Sequence, residues 1–136
     1  QRVEGEARMR CELLLPLPPS VNRLRRYAKH GSYPNPKVLA WVEEAHRAVV
    51  AALPEELSTD IVHVEVRLYG PTKARWDIDN RVKVLLDFLE GRYLADDTQC
   101  DKLTVRRGPM RKGGGCWVII ETMDPGALVC PAWPAS

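Results

Sequence analysis

The sequence predicts an α+β domain in which a mixed β-sheet is covered by two main helices, in the order β-α-β-α-β-β. Three observations carry that reading. Residues 61–69 alternate, with Val62, Val64, Val66 and Leu68 on one side and His63, Glu65 and Arg67 on the other, which is the period of a strand with one buried face. Two stretches, Val38 to Leu53 and Val82 to Leu89, repeat apolar residues at helical spacing. The whole chain has 136 residues, enough for one hydrophobic core and too few for two.

The elements follow in order. Residues 1–8 read as an N-terminal extension, 9–124 as the domain and 125–136 as a flexible C-terminal tail rich in Pro, Ala and Gly, with one stray Trp133. Met9, Cys11, Leu13 and Leu15 recur at every second position and predict the first strand, which Pro16 ends. Pro16, Pro18 and Pro19 lack amide protons and forbid a regular ladder, so the chain is expected to run as a long exposed loop as far as Tyr33. Asn35-Pro36 opens a helix as cap and first-turn proline; Val38, Val42, Ala45, Val49 and Leu53 follow at helical spacing until Pro54. After the second strand, Gly70-Pro71 breaks the chain. The next helix is expected to turn Val82, Leu85, Leu86 and Leu89 inward and to end at Gly91. Leu103 and Val105, then Trp117 and Ile119, predict two strands joined across Gly108–Gly115 as an antiparallel hairpin.

Composition limits function. With 45% hydrophobic and 28% charged residues the chain is neither disordered nor membrane-spanning, since no apolar run approaches the ~20 residues a spanning helix needs. A net charge of +2 does not announce nucleic acid, but the charges are sorted. Arg23, Arg25, Arg26 and Lys29 fall within 20–30 without an acidic residue, whereas 77–101 holds seven acidic residues against three basic. Cys11, Cys100, Cys116 and Cys130 lie far apart with no CxxC pair, which argues against structural zinc and fits reduced thiols in a cytoplasm. His30, His46 and His63 are scattered and receive no catalytic role, and Trp41 and Trp117 read as core or interface.

The chemistry lies in the acidic region. Asp77 and Asp79 flank Ile78 just before a helix, so in an extended approach both carboxylates point one way while Ile78 points into the core. Asp96 and Asp97 follow after that helix, and packing that folds this pair back beside the first would gather three or four carboxylates. Such a cluster calls for a hard divalent cation, and Mg²⁺ suits few carboxylates plus water and phosphate. Lys83, one helical turn after Asp79, projects near the cluster, where it can meet a phosphate. Plainer readings stand beside these. Asp79 as a helix cap, Asp79–Lys83 as a surface ion pair worth under ~1 kcal/mol and Asp96-Asp97 as an ordinary turn each account for one feature. An EF-hand is excluded, because Arg81 and Val82 stand where its loop needs a ligand and a glycine.

Three blocks occur in order: Leu15-Pro16-Leu17-Pro18-Pro19-Ser20-Val21-Asn22-Arg23, then Asp77-Ile78-Asp79-Asn80-Arg81-Val82-Lys83, then Leu94-Ala95-Asp96-Asp97-Thr98-Gln99. In this the chain resembles the RusA family of Holliday junction resolvases, whose pattern is a proline-rich PPS-x-N segment, a DxDN-x-x-K block opening a helix and a DD-x-Q block after it. The resemblance spans roughly residues 11–122 and departs from the pattern at Trp76, where some members have arginine; Arg75 is the nearest substitute for that charge.

The resemblance implies a small homodimeric, Mg²⁺-dependent endonuclease, with Mn²⁺ as a substitute, bacterial or phage-encoded and cytoplasmic, that nicks four-way or other branched DNA symmetrically. It assigns Asp77, Asp79 and Asp97 as catalytic carboxylates and metal ligands, with Asp96 as a further neighbour, and Lys83 as the essential lysine. Contacts to DNA fall by the resemblance to Asn22, Arg23, Asn80 and Lys83, with Arg75 as the substitute charge, and by the sorted charges to Arg25, Arg26, Lys29, Arg111 and Lys112. Metal held there would lower the pKa of a bound water and neutralise charge on the scissile phosphate, and Lys83 would stabilise the charge that develops. The cations in 23–29 and 106–112 would hold phosphates around a cluster that alone repels them. Two active sites in a dimer match two symmetric cuts. The alternative is a junction-binding accessory protein without catalysis, against which the intact Asp77, Asp79, Asp97 and Lys83 speak.

Overall fold

A computed structural model of the chain describes residues 8–21, 25–28, 31–128 and 130–134. It contains β1 (Arg10–Leu15), β2 (Arg25–Ala28), β3 (Gly31–Pro34), α1 (Pro36–Val49), β4 (Val62–Tyr69), α2 (Asp79–Leu89), β5 (Cys100–Arg107) and β6 (Gly115–Thr122). The main sheet has the order β1-β6-β4-β5, and β2 pairs with β3 in a separate ladder. β1 and β4 each run antiparallel to β6, while β4 and β5 run parallel, so the sheet is mixed as the sequence predicts.

β4 is the spine of the core. Val62, Val64, Val66 and Leu68 are fully buried, each contributing about 1.5–3 kcal/mol of apolar burial. They pack with Leu13 and Leu15 of β1, Val118 and Ile120 of β6, and with Trp41, Ala45 and Val49 of α1 and Val84, Leu85, Phe88 and Leu89 of α2. α1 starts as expected: the Asn35 side chain accepts from the Lys37 amide at 2.9 Å, and Pro36 occupies the first turn. Trp41 anchors it, donating from Nε1 to the Pro16 carbonyl at 2.9 Å and meeting Phe88 edge to face at 5.2 Å.

Three expectations are corrected. β5 and β6 do not form a hairpin, because β4 lies between them. The stretch 108–114 instead crosses the end of β4, and its seven residues reach further than the ~10 Å that two strand spacings demand. The loop expected from Pro16 to Tyr33 contains the β2–β3 ladder, in which Arg26 faces Tyr33 and Ala28 faces Gly31. That ladder carries no apolar alternation, so hydrophobic periodicity is silent there. The inward face of α2 is Val84, Leu85, Phe88 and Leu89, with Val82 and Leu86 half-buried at its margin. The Phe88 ring against Trp41 sets that rotation. Among the described residues no helix is long and apolar enough to cross a membrane.

Candidate active site

The loop after β4 delivers Asp77-Ile78-Asp79 to the start of α2. Ile78 packs on the core, which leaves Asp77 and Asp79 exposed on either side of it. Ile78, not Asp79, holds the cap position, and no side chain caps the helix. Asp79 is the first helical residue, where the helix dipole favours a carboxylate by about 0.3–1 kcal/mol. Its carboxylate is therefore not used up in capping.

The proline-rich block lies against this first turn. The Val21 amide donates to the Asn80 carbonyl at 3.4 Å, and the Arg81 guanidinium donates to the Pro18 carbonyl. Arg81 also lies 5.0 Å from the Trp76 ring, and Arg107 lies 5.4 Å from it. Arg107 in addition donates to the Trp76 carbonyl at 2.9 Å. Trp76 thus joins the end of β5 to the start of α2, two cations against one ring. Gly70 gives it room, since a Cβ there would stand 2.6 Å from the indole nitrogen. Burial pulls the Arg81 guanidinium below its ordinary value, and its Nε is buried with no partner among the described residues.

Lys83 forms no ion pair with Asp79 among the described residues. Its Nζ lies 2.9 Å from Asp87 and 3.6 Å from Asp97. The hydrogen bond that Lys83 donates to Asp87, then the charge of that carboxylate, raises the lysine above its usual value, with Asp97 adding to the shift against an opposing effect of burial. The ordinary surface pair read from spacing is thus with Asp87, and the contact with Asp97 brings the third block onto the face of α2.

That third block is a 3-10 turn, Asp97–Gln99, with a capping box. Asp96 accepts from the Thr98 amide at 2.9 Å, and this bond holds its carboxyl below the usual range. Asp96 therefore acts as a cap, as the plain turn reading has it. Gln99, buried, accepts from the Asp96 amide and donates to the Ser58 and Asp60 carbonyls, each at 2.8 Å. Glu90, Asp96 and Asp97 bring carboxylate oxygens within 4.8 Å of one another. Asp77 and Asp79 are not part of that group, and Glu90 was not foreseen from the sequence. Its signal is its position, directly after the last residue of α2.

The remaining site residues divide. Arg75 is exposed and lines a groove of about 770 Å³ together with Lys73, Trp76, Asp77, Arg107 and Met110. Lys112 is exposed, whereas Arg111 braces its own loop, donating from its amide to the Gly70 carbonyl at 2.9 Å and from its guanidinium to the Gly114 carbonyl at 2.6 Å. Asn22, Arg23 and Lys29 lie outside the described residues, and of Arg25 and Arg26 only the backbone, in β2, is described. Trp41 is buried in the core, as expected, and His63 meets Thr104 at 2.8 Å on the sheet.

A family model described as endodeoxyribonuclease RusA matches residues 16–121, which include the second and third blocks and the first from Pro16 onward. The chain belongs to the RusA family. A search of curated proteins finds no match. RusA proteins are endodeoxyribonucleases that resolve Holliday junctions and generally depend on a divalent metal, and the exposed Asp77 and Asp79 at the start of α2, like the half-buried Asp97, offer only the oxygen donors that suit such a hard ion. The RusA match ends at Glu121, just before the C-terminal segment with its 3-10 turn at Pro125–Leu128.

Proposed function

We propose that this chain is a Mg²⁺-dependent crossover junction endonuclease that acts as a homodimer and cuts four-way DNA by paired symmetric nicks. The observation that supports it most is the approach of Asp97 to Lys83 at 3.6 Å, which draws the last block of the family pattern to the helix that Asp79 begins. Asp77, Asp79 and Asp97 would hold the ion, Mn²⁺ serving as a substitute; Asp96, engaged as a cap, is the lesser ligand. Bound Mg²⁺ would supply an activated water and neutralise charge on the scissile phosphate. Lys83, kept protonated by its two carboxylates, donates to the phosphodiester oxygen on which charge grows. Asn80 orients the backbone at the helix start, where its carbonyl already holds Val21. Arg75 and Lys112, with Asn22, Arg23, Arg25, Arg26 and Lys29, hold flanking phosphates against the repulsion of the acidic cluster.

The test is cleavage of a labelled mobile four-way junction, with linear duplex as competitor, in Mg²⁺ and in EDTA. Paired symmetric nicks by the wild type and none by Asp79→Asn, with junction binding retained, are expected. Tight binding without cleavage by the wild type would replace the proposal with the accessory-protein reading. Sedimentation at micromolar concentration tests the dimer, and a fully active monomer would overturn it.

A further inference from the structure

We propose that Arg67 and Arg106, beside Tyr69, form a second contact for DNA backbone phosphates, on the face of the sheet turned away from the helices. The inference rests on the junction-endonuclease reading and extends the path of the substrate past Asp77. In the parallel pairing of β4 and β5, Arg67 stands opposite Arg106. Val66 and Leu68, on either side of Arg67, are fully buried, so alternation sends both arginines to the opposite face. Two like charges opposite each other on adjacent strands are destabilising, and an anion between them relieves this.

The sheet supplies only part of that anion. Arg67 donates from Nε to Glu65 at 2.7 Å and lies 4.6 Å from the Trp117 ring, which fixes the guanidinium while leaving its terminal nitrogens without a partner among the described residues. The Arg106 side chain is exposed and has neither ion pair nor hydrogen bond to a described residue. Both open into a hollow of about 240 Å³ whose other walls are Tyr69, Arg107, Gly108 and Pro109. A Cβ at Gly108 would stand 2.1 Å from the Tyr69 ring, so the ring packs directly on the backbone and shapes the wall.

Continuity selects the occupant. Arg107 and Gly108 line both this hollow and the groove beside Asp77, so the two depressions meet around the end of the sheet. A strand with its scissile phosphate at Asp77 therefore continues toward Arg67 and Arg106, and planar guanidiniums suit its tetrahedral oxygens.

The experiment measures binding of a labelled four-way junction to the full chain in EDTA over a range of salt concentrations. The wild type is compared with Arg106→Gln, with Arg67→Gln/Arg106→Gln and with Lys102→Gln, a single-charge control on the same face and in the same strand as Arg106. The slope of log affinity against log salt should fall by about 1 for Arg106→Gln and about 2 for the double variant, with a smaller change for Lys102→Gln. The exposed Arg106 tests the contact even if the double variant folds poorly. An unchanged slope in Arg106→Gln, an equal change in Lys102→Gln, or a change of oligomeric state in place of a change of slope overturns the inference while leaving the endonuclease reading intact. No salt-dependent binding by the wild type would sink both.

Discussion

Replacing Gln99 with leucine keeps the bulk of the side chain and deletes three hydrogen bonds at once. The amide nitrogen loses the Ser58 and Asp60 carbonyls and the amide oxygen loses the Asp96 amide, all at 2.8 Å. At roughly 1 kcal/mol net per bond the loss is about 3 kcal/mol. The Ser58 carbonyl keeps the Ala95 amide at 3.1 Å, which holds the figure below the full cost of stranding every partner. Against the ~5–15 kcal/mol typical of a domain, this lowers Tm by about 10 °C. The functional consequence is separate. Gln99 ties the 97–99 turn to the segment before β4, so without it Asp97 loses its fixed approach to Lys83. Junction cleavage at a temperature where the variant is fully folded should fall by more than tenfold. Gln99→Glu should not rescue it, because a carboxylate accepts from Asp96 but cannot donate to two carbonyls. Thermal melts and single-turnover cleavage check the two halves. A variant that loses the stability yet cleaves at the wild-type rate would refute the idea that this turn places Asp97.

Further perturbations test other links. Gly70→Ala puts a methyl 2.6 Å from the Trp76 indole nitrogen; overpacking of about 1–3 kcal/mol should lower Tm and reduce cleavage together. Lys83→Met should weaken junction binding by no more than its one phosphate contact and cut single-turnover cleavage by at least ~100-fold, the scale of one lost electrostatic donor. Burial pushes the Cys116 thiol up to about 12, so the folded state holds a proton that the unfolded chain releases from about pH 9. The sign follows: this contribution is intact below pH 9 and is lost as pH rises toward 12, by roughly 1.4 kcal/mol per pH unit. Urea unfolding of wild type and Cys116→Val at pH 8 and 10 should show the gap close or reverse only at the higher pH.

What the sequence disclosed follows from which forces act locally. The alternation of β4, the Asn35-Pro36 opening of α1 and the amphipathic stretch of α2 are written in side chains a few residues apart, and each element formed where expected. The insertion of β4 between β5 and β6 is not local. Alternation states which face of a strand is buried and is silent on which strand lies beside it, so two strands close in sequence looked like partners. The site shows the same division. Asp77, Asp79, Asp97 and Lys83 could be singled out because their spacing and order carry chemistry. Gln99 as the clamp of the last block, and Trp76 between Arg81 and Arg107, arise from contacts between distant segments, where no spacing rule applies.

The two carboxylate sets make a sharper distinction. Spacing and family pattern point to Asp77, Asp79 and Asp97, whereas geometry draws Glu90 and Asp96 to Asp97. Asp97 belongs to both sets, so its loss cannot separate them. Electrostatics favours the first. Asp96 is already committed to the Thr98 amide, whereas the side chains of Asp77 and Asp79 have neither ion pair nor hydrogen bond to a described residue, so the first set has more uncommitted charge to attract an ion. An ion that binds only the folded chain stabilises it, by about 1.4 kcal/mol at ten times its Kd, or roughly 4–5 °C in Tm. Thermal melts with increasing MgCl₂ should show that rise in the wild type, most of it lost in Asp79→Asn and most of it retained in Glu90→Gln. The reverse pattern would move the metal to the end of α2 and leave Asp77 and Asp79 to another task.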